Sequence, residues 1–479
     1  MTHHAFNFCK RSFAALFTGL FFLPVCGFAQ VLAPVPVPIR PGDTLNQQHS
    51  IQKNTFLDTA KLNKRPGHAA FLFGVAELAP FTFDHFIRQA PVYDISLKSI
   101  GHNLSIRNWA FDNDPFETNQ FGHPYHGNMF FNAYRTNGYT FWQSVPAPFI
   151  GSYLWETLAE TQAPAPNDFI NTSFGGVILG EMTFRLSNRV VDNRAVGFKR
   201  QVSEVLGLLI NPMRGLNRIV NGKWGKYSAN SKERDSSKIY AEFDLGARKI
   251  GTSNGKGNFG LFGHAKLLYG TPYEDYRTPF SNILIDAEAG KDDSATVNML
   301  SVYGSLAGWE VIGNDRVEQL AILSLNYDYI DNQSFFYGAQ SVKINLVTDI
   351  ILTKKIRINL LIATGPIILG AAPDIYLTNG RNYDYGSGAA FNFSAGIKIG
   401  GKFFYNAGYR NGWLKTINGN ASHYFLHVFS NEIGFQLVRG FSLIAAPGYF
   451  TLHGYYQTHP STDKTYSYLR VSARYSLNL

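Results

Sequence analysis

The sequence predicts a mainly β fold, a transmembrane antiparallel β-barrel of about 12 strands with an N-terminal α-helical region that plugs or caps it. The C-terminal half alternates apolar and polar residues, aromatic residues make up 15% of the chain, and the N-terminus resembles an export signal. After that signal, no window approaches the ~20 consecutive apolar residues of a membrane-spanning helix. A closed barrel instead needs an apolar residue only at every second strand position.

The first 29 residues have the pattern of a secretory signal peptide. Two basic residues at positions 10 and 11 precede a short apolar run, and small residues lead to Ala29, after which cleavage is expected. Both cysteines, Cys9 and Cys26, lie within this segment. The mature chain is therefore predicted to be exported and to lack disulfide bonds and thiol chemistry.

Residues 30–66 are predicted to form a Pro-rich and polar linker. The stretch "VLAPVPVPIRPGD" alternates proline with aliphatic residues, which favours an extended spacer without a core. A mostly helical domain is predicted from residue 67 to 226, and it opens with a long apolar segment interrupted by Pro80.

Residues that can cap free N–H groups mark three helix starts in this domain. They are His123 ahead of Pro124, then Ser144, and then Asn167 or Asp168. A fourth helix is expected from Lys199 to Val220, because its apolar residues are spaced to form one stripe.

From residue 238 to 479 the apolar residues recur with a period of two. In the last segment Leu469 and Val471 alternate with Arg470 and Ser472, so one face suits lipid and the other a polar lumen. Twelve strands are predicted, near 238–249, 258–270, 281–290, 295–309, 317–331, 335–353, 355–371, 387–400, 401–413, 423–438, 440–457 and 465–479. A soluble periplasmic β-sandwich is the alternative.

The connections between these strands alternate in length, as expected for periplasmic turns and external loops. Tight turns are predicted at 353–354, 400–401 and 439–440, and long loops at 372–386, 412–422 and 458–464. The connection at 271–280 breaks this alternation because it is long where a short turn is expected. Seven charged or polar residues are predicted to face the lumen, where they would bind the helices or line a solute path: Glu242, Asp244, Arg248, Asn326, Asp328, Arg470 and Arg474.

A resemblance to a known family covers roughly residues 68 to 226. The stretch "HPYHGNMFFNAYRTNGYTFWQSVPAPFIGSYLWETLAETQAPAPNDFINTSFGGVILGEMTFRLSNR", followed by "LLINPMRGLNRIVNGKWG", resembles the domain of unknown function 3943 family. The resemblance implies an exported outer-membrane protein of Gram-negative bacteria with an N-terminal helical signature. It implies no reaction and no catalytic residue.

Five residues of the helical domain are candidates for acid–base chemistry. His123 and His126 are expected on the same side of a first helical turn, and Glu156 and Glu160 on one face of the next helix. Asp168 is a candidate to orient a histidine. These spacings match no strong metal motif, so structural roles are favoured and neither a metal nor a cofactor is predicted.

Basic residues are concentrated in one segment of the chain, whose formal net charge is +9. Between Arg185 and Lys226 there are nine basic and two acidic residues, which suits outer-membrane lipid with anionic headgroups. Nucleic acid is not an expected partner, and protein partners are unknown. Binding roles are considered for Arg135, Glu181, Arg185, Arg214 and Arg218, although Glu181 and Arg185 also form a favourable i, i+4 pair.

The leading hypothesis for function is an outer-membrane barrel with a structural or small-solute role. One alternative is an outer-membrane lipid-modifying enzyme, a hydrolase or acyltransferase, that uses histidine and glutamate residues of the helical region. The second alternative is an assembly or scaffolding partner in the envelope.

Overall fold

The computed structural model describes residues 63–230, 238–251, 257–290, 297–332, 336–378 and 380–478. The predicted signal peptide and most of the predicted linker lie outside the described residues. Within them, twelve antiparallel strands form a closed barrel, which confirms the predicted architecture. The strands are β1 Ile239–Ile250, β2 Asn258–Tyr269, β3 Ile283–Gly290, β4 Val297–Gly313, β5 Val317–Asp331, β6 Phe336–Thr353, β7 Ile356–Thr378, β8 Arg381–Ile399, β9 Phe403–Asn418, β10 Ser422–Val438, β11 Phe441–Tyr456 and β12 Thr462–Asn478.

The barrel closes where β1 pairs with β12, for example through Tyr240 and Asn478. Both barrel ends lie at one edge, the terminal rim, which also carries the β4–β5, β6–β7, β8–β9 and β10–β11 turns and the long β2–β3 connection. The other edge is the opposite rim. Most of the loops predicted at 372–386 and 412–422 are strand instead, because β7, β8 and β9 extend further toward the opposite rim than their turn residues suggested.

Alternation along the strands separates a lumen face from an outer face. Arg470 of β12 approaches Glu288 of β3 to 3.5 Å, although β1 and β2 lie between them, which identifies this face as the lumen. On β12 the neighbouring Leu469 and Val471 are 51% and 55% exposed and point outward. The seven predicted lumen residues all lie on the inward face.

Nine α-helices occur among the described residues before β1. They are α1 Pro66–Thr82, α2 Leu97–Asn103, α3 His123–Arg135, α4 Phe141–Ser144, α5 Pro146–Leu154, α6 Pro166–Ile170, α7 Gly176–Val190, α8 Gly197–Ile210 and α9 Pro212–Val220. Four π-helical turns extend or join them: Phe83–Ile87, Thr118–Gly122, Trp155–Ala159 and Asn171–Gly175.

Several predicted helix boundaries are wrong. His123 is not a cap, because the preceding π-helical turn runs directly into α3. Ser144 ends α4, whose cap is Thr140. The predicted fourth helix is two helices, since Asn211 precedes Pro212 and the residue before a proline is pushed out of the helical conformation.

The helices form a bundle whose four long runs alternate in direction along the chain. These are Pro66–Ile87, Thr118–Arg135, Phe141–Ala159 and Pro166–Val190, each roughly 27–38 Å long at ~1.5 Å per residue. Arg185 donates to the Pro279 carbonyl beside the terminal rim (2.7 Å), whereas Asn167 donates to Tyr385 near the opposite rim (3.2 Å). The bundle therefore extends along the barrel for most of its height.

This bundle packs against the outside of the barrel, so the prediction that it plugs or caps the barrel is wrong. Tyr327 donates from its hydroxyl to the Gln120 carbonyl of the bundle at 2.5 Å. Its neighbour Asp328 faces the lumen, so Tyr327 points outward, yet it is fully buried. Phe116 likewise stacks on Tyr329 at 5.6 Å between ring centres. The bundle covers an apolar patch on the outer face of β3 to β8: Ile283, Ile285, Val302, Tyr327, Tyr329, Leu369, Ala371, Tyr383 and Tyr385.

The bundle is polar inside and apolar outside. Its buried residues include Asn128, Asn132 and Glu181, whereas Phe71 and Leu78 of α1 are 53% and 64% exposed. Among the described residues, and contrary to the sequence-based expectation, one helix is long and apolar enough to span a membrane by length and composition, the 22-residue run Pro66–Ile87. An apolar exterior around a hydrogen-bonded polar interior is typical of a domain surrounded by lipid.

The half of the lumen toward the terminal rim is filled by a charge network. Arg474 donates to both oxygens of Asp244, at 2.6 and 2.9 Å, and to both oxygens of Glu432, at 3.0 and 2.7 Å. His264 lies between Asp244 (3.0 Å) and Asp286 (2.8 Å). The charged lumen residues thus pair with one another and not with the helices.

Apolar side chains fill the other half of the lumen, including Tyr337, Tyr424, Phe450 and Tyr468. At the terminal rim the β2–β3 connection packs Tyr273 and Tyr276 onto a cluster of lumen-facing residues: Leu320, Ile322, Val347, Leu361 and Ala363. A cavity of about 60 Å³, lined in part by Asp286, Asp328 and Arg410, remains between the two halves, room for only a few water molecules. Described side chains therefore occupy much of the lumen.

Candidate functional site

The candidate polar site lies in the bundle at the level of the opposite rim. It is formed by His123, Glu156 and Asp168, and one ligand-type atom from each lies within 4.8 Å of the other two. The three residues come from three different long runs of the bundle. Each lies within a π-helical turn or within three residues of one, an irregularity that is frequent at functional sites.

His123 and Asp168 are close enough to interact directly. The Nε2 atom of His123 lies 3.4 Å from Oδ1 of Asp168, and the two side chains are 14% and 8% exposed. Asp168 is in the first turn of α6, but Ala165 is the residue that precedes this helix, and it makes no side-chain cap. The predicted capping roles of Asn167 and Asp168 are therefore wrong, since both side chains turn toward the site.

Glu156 and Glu160 do not share a helix face as predicted. The helix ends at Ala159, and Glu160 has extended backbone angles, so the i, i+4 geometry is lost. Glu156 is 3% exposed, and its Oε2 accepts the Ala165 N–H at 2.9 Å. Glu160 accepts the indole N–H of Trp155 at 2.7 Å.

Other polar residues, of which the sequence singled out only Asn167 and only as a helix cap, surround the site and join it to the barrel. The Asn167 amide donates to Asp112 at 2.6 Å and to Asp168 at 2.7 Å. The amide of Asn119 donates to Asp112 at 3.0 Å and to the Tyr383 hydroxyl at 2.8 Å. Asp112 lies 55 residues from Asn167 in the chain, and no local spacing predicts their contact.

His126 lies outside this group. Its Nε2 is 2.9 Å from the Ala76 carbonyl of α1, and its ring packs edge-on against Trp155 at 4.7 Å between ring centres. One backbone acceptor and an aromatic neighbour hold it between α1, α3 and α5. Of the two histidines, the structure brings only His123 to the carboxylates.

The first group of predicted binding residues pairs internally. Glu181 is fully buried and accepts from Arg135 at 2.8 and 3.1 Å and from Arg185 at 2.8 Å. The guanidinium of Arg135 also lies 4.1 Å from the centre of the Phe184 ring. These three residues connect α3 to α7 within the bundle.

The remaining two predicted binding residues are also buried. Arg218 donates to both oxygens of Glu204, at 2.7 and 2.8 Å, and Arg200 donates to the same carboxylate at 2.6 Å. Arg214 is 7% exposed and directs a guanidinium nitrogen to the Ser187 carbonyl at 3.3 Å. The basic helix α9 therefore directs its arginines into the protein.

The site concentrates negative charge. Among the described residues, no Arg or Lys side chain forms a salt bridge with Asp112, Glu156, Glu160 or Asp168. Grouped carboxylates without a cationic partner are costly unless they take up protons or another cation.

Comparisons with known proteins give a family match within the helical domain and solved structures that are similar to about half of the chain. Residues 108–213 match the model of a family described as Domain of unknown function (DUF3943), within the predicted stretch. No curated protein matches the chain. Similar solved structures include the NanC porin (8% identity, TM-score 0.30, 49% of this chain and 100% of that chain).

Two further structures are similar at the same low level. They are an anion-selective porin from Comamonas acidovorans (9% identity, TM-score 0.25, 50% of this chain and 99% of that chain) and the CymD monoaromatic hydrocarbon channel (10% identity, TM-score 0.25, 51% and 88%). The match at residues 108–213 covers all three residues of the candidate site.

Proposed function

We propose that this is an outer-membrane protein whose closed barrel anchors the helical bundle in the lipid beside it, and that the bundle is the working part. The observation that carries this proposal is the packing of a polar-cored, apolar-surfaced bundle on the outer wall of the barrel. The part of the barrel wall that the bundle does not cover exposes large apolar side chains, including Leu245 (55%), Phe435 (50%) and Val471 (55%). Such a wall needs lipid around it. Because the bundle packs on the same wall, it lies in the same lipid layer.

The orientation follows from the barrel ends. In outer-membrane barrels both ends and the short turns face the periplasm, which makes the terminal rim periplasmic. The candidate polar site then lies toward the outer leaflet, and α8 and α9 toward the inner leaflet. Anionic headgroups of the inner leaflet are the proposed partners of the exposed cations that remain there, Arg194, Lys199, Lys223 and Lys226, next to Phe198, which is 85% exposed.

Site-directed labelling tests the location of the bundle. The only cysteines, Cys9 and Cys26, fall in the predicted signal peptide, so a single introduced cysteine can carry a spin label. We expect a spin label at Leu78→Cys to be accessible to oxygen and protected from a water-soluble nickel reagent, because α1 would face acyl chains. Lys199→Cys is the matched exposed control, and a spin label there should be accessible to the nickel reagent. A Leu78 label that the nickel reagent reaches as readily as the Lys199 label would contradict membrane embedding.

A lipid-modifying enzyme is the second candidate function. It is favoured by the 3.4 Å approach of His123 to Asp168, since a carboxylate that orients an imidazole is a common acid–base arrangement. The level of the site would give it access to outer-leaflet lipid.

Lipid profiling of cells that carry histidine variants tests this candidate. An enzyme should lose its lipid product with His123→Asn, as a deletion strain does, and keep it with His126→Asn, because His126 bonds only to backbone outside the site. Identical lipid profiles for the wild type, the deletion and both variants would count against an enzyme.

A further inference from the structure

The candidate polar site has the arrangement of a metal centre, a property that goes beyond the proposed membrane function. One imidazole and two carboxylates converge from three separate helical runs, with ligand-type atoms within 4.8 Å of one another. Two donors bonded at ~2.1 Å to a tetrahedral ion lie roughly 3.4 Å apart. The separation of 3.4 Å between His123 Nε2 and Asp168 Oδ1 is of this size.

Two of the three side chains, His123 and Glu156, make few hydrogen bonds through their ligand atoms. The Nε2 atom of His123 is enclosed and makes no hydrogen bond. Glu156 is 3% exposed, and within the described part of the chain its one side-chain hydrogen bond is to Oε2, from Ala165. A carboxylate oxygen of Glu156 thus lies within 4.8 Å of an enclosed imidazole nitrogen that makes no hydrogen bond, and an enclosed polar atom without a partner is costly.

The surrounding residues supply the outer shell that metal ligands usually have. The Asn167 amide bridges Asp168 (2.7 Å) and Asp112 (2.6 Å), which holds the Asp168 carboxylate in place. The Ala165 N–H does the same for Glu156. The charge balance also fits. Among the described residues, no Arg or Lys pairs with the buried carboxylates of Glu156 and Asp168, and an ion of charge +2 would neutralise both.

We propose that His123, Glu156 and Asp168 bind one divalent transition-metal ion, with zinc as the first choice. The imidazole ligand favours a transition metal such as zinc over calcium and magnesium, which prefer ligand sets of oxygen atoms only. Three protein ligands leave one tetrahedral position for water.

Metal analysis of the full-length protein, purified from outer membranes without chelator, tests the proposal. The wild type is expected to hold about one zinc per chain by mass spectrometry. Asp168→Asn and Glu156→Gln are expected to reduce the zinc content at least tenfold, in line with loss of a ligand. Glu117→Gln is the matched control, because Glu117 is an exposed carboxylate close in sequence to His123.

A second measurement covers the case in which a variant fails to fold. Wild-type protein treated with chelator and dialysed should regain one zinc per chain on titration, and its unfolding temperature should rise as zinc is added. Stoichiometric zinc in the wild type and the Glu117 variant, with loss in the ligand variants, supports the site. No zinc or manganese uptake by the wild type, or equal metal content in all folded variants, overturns it. Neither result depends on whether the bundle lies in lipid.

Discussion

Replacing Arg474 by methionine is expected to destabilise the barrel by about 3–5 kcal/mol, the usual cost of breaking a buried charge pair. Arg474 is 1% exposed and donates to Asp244 and Glu432, and it also lies 3.1 Å from Glu242. Without it, three inward carboxylates from β1 and β10 lose their shared cation. Methionine preserves much of the volume, so the loss is mainly electrostatic.

The effect is measured as the urea concentration at which the fast-migrating folded band disappears on unheated gels. Arg439→Met is the matched control, since Arg439 is exposed in the β10–β11 turn, and it should shift the midpoint little. A midpoint for Arg474→Met equal to that of the control would show that the charge network does not hold the barrel together.

The second large effect is expected for Gly127→Ala in α3. A Cβ atom at Gly127 would lie 1.8 Å from the Thr172 carbonyl oxygen and 2.9 Å from the Gly176 Cα, so the backbones of two helices would have to separate. Overpacking of this kind costs about 1–3 kcal/mol, and more where the obstructing atoms are backbone. The bundle is expected to loosen while the barrel remains folded.

Proteolysis distinguishes these two parts. The bundle of Gly127→Ala should be digested by protease at least tenfold faster than that of the wild type, with the barrel fragment intact. Gly74→Ala is the control, because no atom lies within 4 Å of its added Cβ, and alanine favours a helix over glycine by about 0.5–1 kcal/mol. Equal digestion of both variants would mean that α3 and the Asn171–Gly175 turn are not in close contact.

The strand count was predictable because alternation is a local property. On β12, Arg470, Ser472 and Arg474 face inward and the residues between them outward, and each such stripe is visible in its own segment. Strand ends were less predictable. The extension of β7 to Thr378 depends on its pairing with β8 across the sheet, which turn-forming residues alone do not reveal.

For the candidate site residues, too, the residue types were predictable from the sequence and their arrangement was not. His123, Glu156 and Asp168 are recognisable as reactive side chains, but their convergence depends on the packing of three helical runs. The basic segment was recognised by its composition. Burial of Arg214 and Arg218, and the ion pair of Arg218 with Glu204, follow from the fold of α8 on α9, so the surface retains fewer cations than the sequence suggests.

Residue patterns alone predict a helical domain followed by a twelve-stranded barrel with a charged lumen. The position of the helices on the outer wall became visible only in the folded chain. Tyr327, Tyr329 and Tyr383 occupy outward positions that would suit lipid as well as a helix. An apolar outward residue satisfies either neighbour, because lipid and a packed helix both exclude water, and the pattern of a single strand cannot tell them apart.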